Sequence, residues 1–110
     1  MTQNESVDEL LAELRERFRE TAASRLEEMR ALIARLQIHR DDRDALDRLS
    51  RHFHGMAGLG ATYGYPAISE LGDAGEATLI PLVRRAATPT DADIASWLVL
   101  VGQMTDALRE

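Results

Sequence analysis

Apolar residues recur every three or four positions through most of this 110-residue chain. This spacing places them on one face of an α-helix. The pattern covers four stretches, at about residues 7–37, 44–63, 66–85 and 91–108, and the segments between them are short. Four amphipathic helices with short connections predict an all-α fold, an antiparallel four-helix bundle, in a single domain that spans residues 1–110.

Glycine and proline mark the ends of the predicted helices. Gly64 suits the C-terminal end of the second helix, and Pro66 suits the first turn of the third, so both are assigned structural roles. Pro81 predicts a kink or a separate final turn in the third helix. A break near residues 19–24 would divide the first stretch and give a short extra helix at the N-terminus.

Composition excludes several classes of function. The chain has no Cys, which excludes disulfides and thiolate metal sites. Its formal net charge is -6 and every basic residue is Arg, so we expect no binding to nucleic acid. No apolar run approaches the ~20 residues that span a bilayer. The polar, acidic N-terminus does not look like a signal peptide, so we expect a cytoplasmic protein without membrane insertion.

The second helix has an apolar seam and one histidine that points away from it. The seam residues are spaced by three and four positions: Leu46, Leu49, Phe53, Met56, Gly60 and Tyr63. At about 100° per residue, His54 lies roughly 140° from the centre of this seam. His54 is therefore predicted to point into solvent.

The surface around His54 has unusually small side chains on its C-terminal side. Because Gly costs about 1 kcal/mol relative to Ala inside a helix, another surface that approaches closely would explain them. An exposed surface His beside ordinary tight helix packing is the simpler explanation, but Gly58 faces away from the seam. We therefore predict a surface for docking a partner, here called the docking strip, made of Ser50, Arg51, Ala57, Gly58 and Ala61.

Residues 54–66, HGMAGLGATYGYP, resemble the signature of histidine-containing phosphotransfer (Hpt) domains. That signature has a His, an apolar residue two positions later, often a Lys three later, and Gly four and ten later. The matching positions are His54, Met56, Ala57, Gly58 and Gly64, with Tyr63 and Pro66 flanking the last Gly. Ile68, Leu71 and Glu76 look like the next helix of the family.

The resemblance implies that His54 accepts a phosphoryl group and passes it between receiver domains of response regulators or hybrid sensor histidine kinases. It implies a bacterial phosphorelay carrier and not an enzyme in its own right. The partner receiver would supply the Mg²⁺ and the catalytic Lys, so we expect no cofactor-binding and no metal-binding residues in this chain. The resemblance also implies a monomer.

Two features of the sequence leave alternatives open. Ala57 stands where the family often has Lys, so the alternative is an Hpt-like adaptor that docks a receiver or kinase without accepting phosphate. Arg51 is the first candidate to supply the positive charge of the missing Lys, ahead of Arg43 and Arg48. His52 as the acceptor would break the Gly spacing, and we expect it to be structural or to contact a partner. The sequence lacks the His spacings of helical metal enzymes, which argues against that class. A helical dimer through the apolar run at residues 97–101 is a further alternative.

Overall fold

The computed structural model describes residues 3–110, with side chains from residue 6 onward. It contains four helices: α1 Gln3–Ile38, α2 Arg43–Tyr63, α3 Pro66–Arg84 and α4 Asp91–Ala107. Residues 3–110 include no strand. The predicted all-α class and four-helix bundle are confirmed, and the predicted helix bounds fall within four residues of the observed ones.

The first helix is continuous, so the prediction of a break near residues 19–24 and of a short extra helix is wrong. Phe18, Ala22 and Leu26 are all buried and lie one helical turn apart, so the same face meets the core on both sides of the expected break. Phe18 is also the first buried residue within residues 6–38 of the helix. The N-terminal part of α1 therefore projects beyond the rest of the bundle.

The turn between α2 and α3 is built as predicted. Gly64 ends α2 with φ 81°, a left-handed conformation that favours glycine. Pro66 opens α3, where its missing N–H would have no partner in the helix. Pro81 does not start a separate turn, because α3 continues through it and ends only at Arg84.

The core lies between the apolar faces of the four helices. Leu46, Leu49, Phe53 and Met56 are completely buried, which confirms the predicted seam of α2. Trp97 of α4 is also completely buried, and its indole N–H donates to the hydroxyl of Thr78 at 2.8 Å. In the run at residues 97–101, Trp97 and Val101 face the core, whereas Leu98 and Val99 are exposed.

Glycines allow α2 and α3 to pack with their backbones almost in contact. A Cβ atom on Gly72 would lie 2.6 Å from the backbone nitrogen of Ala57 and 2.7 Å from the carbonyl oxygen of Phe53. A Cβ on Gly60 would lie 2.7 Å from the backbone nitrogen of Ser69. This close packing brings the side chains of α3 within reach of those on the outer face of α2.

Candidate functional site

The imidazole of His54 stands on the outer face of α2. Its side chain is 76% exposed, which confirms the predicted outward orientation. The neighbouring residue, Phe53, is completely buried, so the helix is held to the core directly beside the exposed ring. This arrangement presents a solvent-accessible ring from a rigid backbone.

A carboxylate of α3 holds one nitrogen of the ring. The Nδ1 atom of His54 lies 2.7 Å from Oε2 of Glu76, whose side chain is only 22% exposed. An ionised carboxylate can only accept, so this close contact favours a proton on Nδ1. In the neutral ring, Nε2 then carries the free lone pair and faces away from Glu76. The pair therefore favours the tautomer in which the outer nitrogen can act as a nucleophile.

Sequence reasoning did not identify Glu76 as part of the site, although it placed the residue on the third helix. The signal was available in the chain, because His54 and Glu76 lie equally far from Tyr65 along the sequence. Tyr65 sits in the turn between two antiparallel helices, so residues equidistant from it come together. The predicted turn and the acidic residue together were enough to find this partner.

The structure divides the docking strip into exposed and buried members. Gly58 and Ala61 are exposed, and Gly58 has open space where a Cβ would lie. Ser50 is half-buried and the side chain of Arg51 is 77% exposed. The expectation that Ala57 is exposed is wrong: it is 8% exposed, because Gly72 allows the backbone of α3 to pack over it.

No cation is paired with the ring of His54 in the part of the chain that the structure describes. The guanidinium of Arg51 lies 2.6 Å from Asp47, so compensation for the missing Lys by Arg51 would require this pair to break. Arg48 is paired with Asp44, and Arg43 donates to backbone carbonyls near the end of α3. Among the side chains of residues 6–110, Glu76 thus supplies the one charge paired with the ring, and that charge is negative.

His52 has a different environment from His54, although both lie on α2. Its side chain is only 15% exposed, with Nε2 3.2 Å from Glu28 and Nδ1 3.3 Å from Arg25, both on α1. The guanidinium of Arg25 also occupies the space where a Cβ on Gly55 would lie. His52 therefore ties α1 to α2, which agrees with the first of its two predicted roles, a structural residue or a partner contact.

The start of α2 is fixed by a charged cap. Asp42 accepts a hydrogen bond from the backbone N–H of Ala45 at 3.0 Å and is paired with Arg35 of α1. The bond from Ala45, followed by that from Arg35, lowers the pKa of the Asp42 carboxyl. The same carboxylate and that of Asp44 raise the pKa of Arg35. This cluster connects the C-terminal end of α1 to the helix that carries His54.

No group of three or more His, Cys, Asp or Glu side chains within the described residues is placed to hold a metal ion. None of the helices in residues 3–110 is long and apolar enough to cross a membrane. His39, the third histidine, lies in the exposed turn after α1.

Comparison with known proteins agrees with the site. The family model described as Hpt domain matches residues 13–110, nearly the whole chain. No curated protein and no solved structure matches the sequence significantly. With a four-helix bundle, an exposed histidine on its second helix and a family match of this extent, the chain belongs to the Hpt domain family.

Proposed function

We propose that this chain is a histidine phosphotransfer carrier, that His54 is its phosphorylated residue, and that its partners are receiver domains of response regulators or hybrid sensor kinases. Hpt domains in general act in histidine phosphotransfer within two-component phosphorelays. The observation that carries the proposal is the exposed imidazole of His54, whose Nδ1 lies against Glu76 so that Nε2 is left on the other side of the ring. A cytoplasmic location belongs to the same proposal.

In the proposed reaction, the Nε2 lone pair of His54 attacks the phosphorus of an aspartyl phosphate on the receiver. The Nε2–P bond forms as the P–O bond to the aspartate breaks, and the electron pair of that bond returns to the carboxylate oxygen. The ring then carries a positive charge while Nδ1 keeps its proton. The carboxylate of Glu76, 2.7 Å from Nδ1, stabilises this charge as it develops.

The reverse step delivers the phosphoryl group to a second receiver. An aspartate oxygen attacks the phosphorus, the N–P bond breaks, and its electron pair restores the neutral ring. No proton has to leave the site in either direction, because Nδ1 stays protonated throughout. The phosphoryl group has to be positioned and its charge neutralised, and it needs little further covalent chemistry. The receiver would supply the Mg²⁺ and the Lys that do this.

The exposed members of the docking strip fit the access that this reaction needs. The aspartate must come within bonding distance of a ring attached to a helix, and long side chains on the C-terminal side of that ring would prevent that. Gly58 and Ala61 leave the helix surface low on the C-terminal side of His54. Ala57 is the feature that favours the second candidate, an adaptor that docks a receiver without accepting phosphate, because the family's Lys is missing there.

Label transfer from a phosphorylated receiver separates these two functions. The wild-type chain, His54→Gln and His52→Gln are each mixed with a chemically phosphorylated receiver domain and Mg²⁺. We expect acid-labile, base-stable label on the wild type and on His52→Gln, and none on His54→Gln. Loss of label in His52→Gln alone would assign the acceptor to the other histidine. Measurable receiver binding without label on any variant would support the adaptor.

A further inference from the structure

Arg25 of α1 reaches across to the helix that carries His54. Its guanidinium lies over Gly55, the residue directly after His54, because a Cβ on Gly55 would be 2.6 Å from Nη1 and 3.1 Å from Cζ of Arg25. A larger residue at position 55 would therefore displace the guanidinium. Glycine is unfavourable inside a helix, and the room that it leaves for Arg25 explains its presence here.

Arg25 and Glu76 approach the ring of His54 from opposite sides. Gly55 lies about 100° around the helix from His54 on the side of α1, whereas Ala57 lies about 60° from it in the other direction and packs under α3. Nδ1 of the ring faces Glu76 on the α3 side. Nε2 is therefore left on the side of the ring that is away from α3, and this is the side from which Arg25 approaches.

The guanidinium of Arg25 has no carboxylate partner among the side chains of residues 6–110. It is half-buried and donates to Nδ1 of His52 at 3.3 Å. By contrast, Arg48 and Arg51 are each paired with an aspartate of α2. A hydrogen bond to a neutral nitrogen is weaker than one to an anion, so an approaching phosphoryl group draws the guanidinium away from His52.

We propose that Arg25 neutralises charge on the phosphoryl group during transfer to and from Nε2 of His54, in place of the Lys that the family often has at position 57. This role rests on the proposed function, since it concerns the same transfer. A change of side-chain rotamer moves the guanidinium along the surface of α2 from residue 55 towards the neighbouring ring. There its planar set of donors can bind two phosphoryl oxygens at once.

Rates of label transfer from a phosphorylated receiver, measured over a range of receiver concentrations, test this role. Arg25→Ala should lower the maximal rate by about 10–100-fold, because a charge-assisted hydrogen bond to the phosphoryl group is lost. The receiver concentration that gives half of the maximal rate should change little. Arg25→Lys should recover part of the rate, since it keeps the charge but not the paired donors.

Arg30→Ala is the matched control for Arg25→Ala. Arg30 lies on the same helix, carries the same charge and also bonds to another helix, because it donates to the hydroxyl of Thr105 on α4. Its replacement should leave the transfer rate unchanged. Circular dichroism checks that both variants keep their helices.

Gly55→Ala displaces the guanidinium without removing its charge. The added methyl group would lie 2.6 Å from Nη1, and the flexible end of Arg25 can move away from it. Because Ala is the better helix former, urea denaturation should show a stability equal to or above that of the wild type, while the maximal transfer rate falls. In an Arg25→Ala background, Gly55→Ala should cause no further fall, since the group that it displaces is absent.

Failure of the proposed function and failure of the role of Arg25 give different results. Absence of label on the wild type, or label that persists in His54→Gln, would overturn the proposed function and the role of Arg25 with it. Transfer to Arg25→Ala at the wild-type rate would overturn the role of Arg25 alone. So would equal losses of rate in Arg25→Ala and Arg30→Ala, or a fall in rate that Gly55→Ala causes equally in both backgrounds.

Discussion

Gly72 of α3 lies directly against the backbone of Ala57 of α2. A methyl group on Gly72 would lie 2.6 Å from the Ala57 nitrogen, and backbone atoms cannot move aside as a flexible side chain can. This contact sets the distance between the two helices that carry His54 and Glu76. The geometry of the site therefore depends on a residue that does not touch the imidazole.

We expect Gly72→Ala to destabilise the fold even though Ala is the better helix former. The clash forces α2 and α3 apart, and overpacking of this kind costs about 1–3 kcal/mol. Urea denaturation should show the loss, and label transfer to His54 should slow because Glu76 moves away with α3. Gly102→Ala is the control: Gly102 lies within α4 with open space where a Cβ would lie, so the same change there should increase stability. Equal effects of the two substitutions would contradict this account.

Replacement of Glu76 should slow phosphotransfer without loss of the acceptor. Glu76→Ala removes the group that accepts the proton of Nδ1, and a hydrogen bond to a charged partner contributes about 1.5–3 kcal/mol. The rate of label transfer should then fall by about 10–100-fold. Glu76→Gln can still accept through its amide oxygen but cannot neutralise the ring, so its rate should lie between those of Ala and the wild type. An unchanged rate in Glu76→Ala would remove Glu76 from the mechanism.

Gly58 should show opposite effects on stability and function. Because a Cβ at this position meets open space, Gly58→Leu should stabilise α2 by about 1 kcal/mol through helix propensity alone. The same side chain rises from the docking strip beside His54 and should obstruct an approaching receiver. Denaturation midpoints and label-transfer rates measured on one preparation test both effects.

Gly102→Leu is the matched substitution for Gly58→Leu, since Gly102 also has open space around it but lies on α4. It should raise stability to a similar extent and leave phosphotransfer unchanged. If Gly58→Leu transfers phosphate as fast as Gly102→Leu, receivers do not approach over this part of α2.

The Asp42 cap on α2 should make the free energy of unfolding depend on pH in the acid range. The pKa of Asp42 is lower in the folded chain than its ordinary value of 3.8, first through the N–H of Ala45 and then through Arg35. Above pH 3.8, the charged Asp42 carboxylate therefore contributes its full stabilisation to the folded chain. This stabilisation is lost as the pH falls through the lower pKa that Asp42 has in the folded state. Denaturation at a series of acid pH values should show this loss of free energy of unfolding.

Asp42→Asn isolates this effect, because Asn can also cap a helix but does not titrate in this range. The variant should lose part of the acid-dependent slope and retain helical α2. If its slope equals that of the wild type, other carboxyl groups account for the acid sensitivity.

The spacing of apolar residues within each helix predicts much of the fold, but it does not predict contacts between helices. The seam through Phe53 and Met56 and the outward direction of His54 follow from periodicity within one helix, so the sequence predicts them. Burial of Ala57 depends on Gly72 in another helix, which no pattern within α2 reveals. The predicted break in α1 failed for a related reason. Ala22 lies within the predicted break, yet it is completely buried as part of the core that all four helices share.

His54 stands on a convex surface, and this position limits how many partners can reach its ring at one time. A ring that stands 76% exposed on a helix surface can be surrounded only by a partner that brings its own concave site. One ring admits one such partner at a time, so under the proposed function donors and recipients of the phosphoryl group would compete for the same few atoms. In a cell, relative abundance and affinity of the competing receivers would then decide the route of the phosphate, and the chain itself would act as a shared junction between pathways.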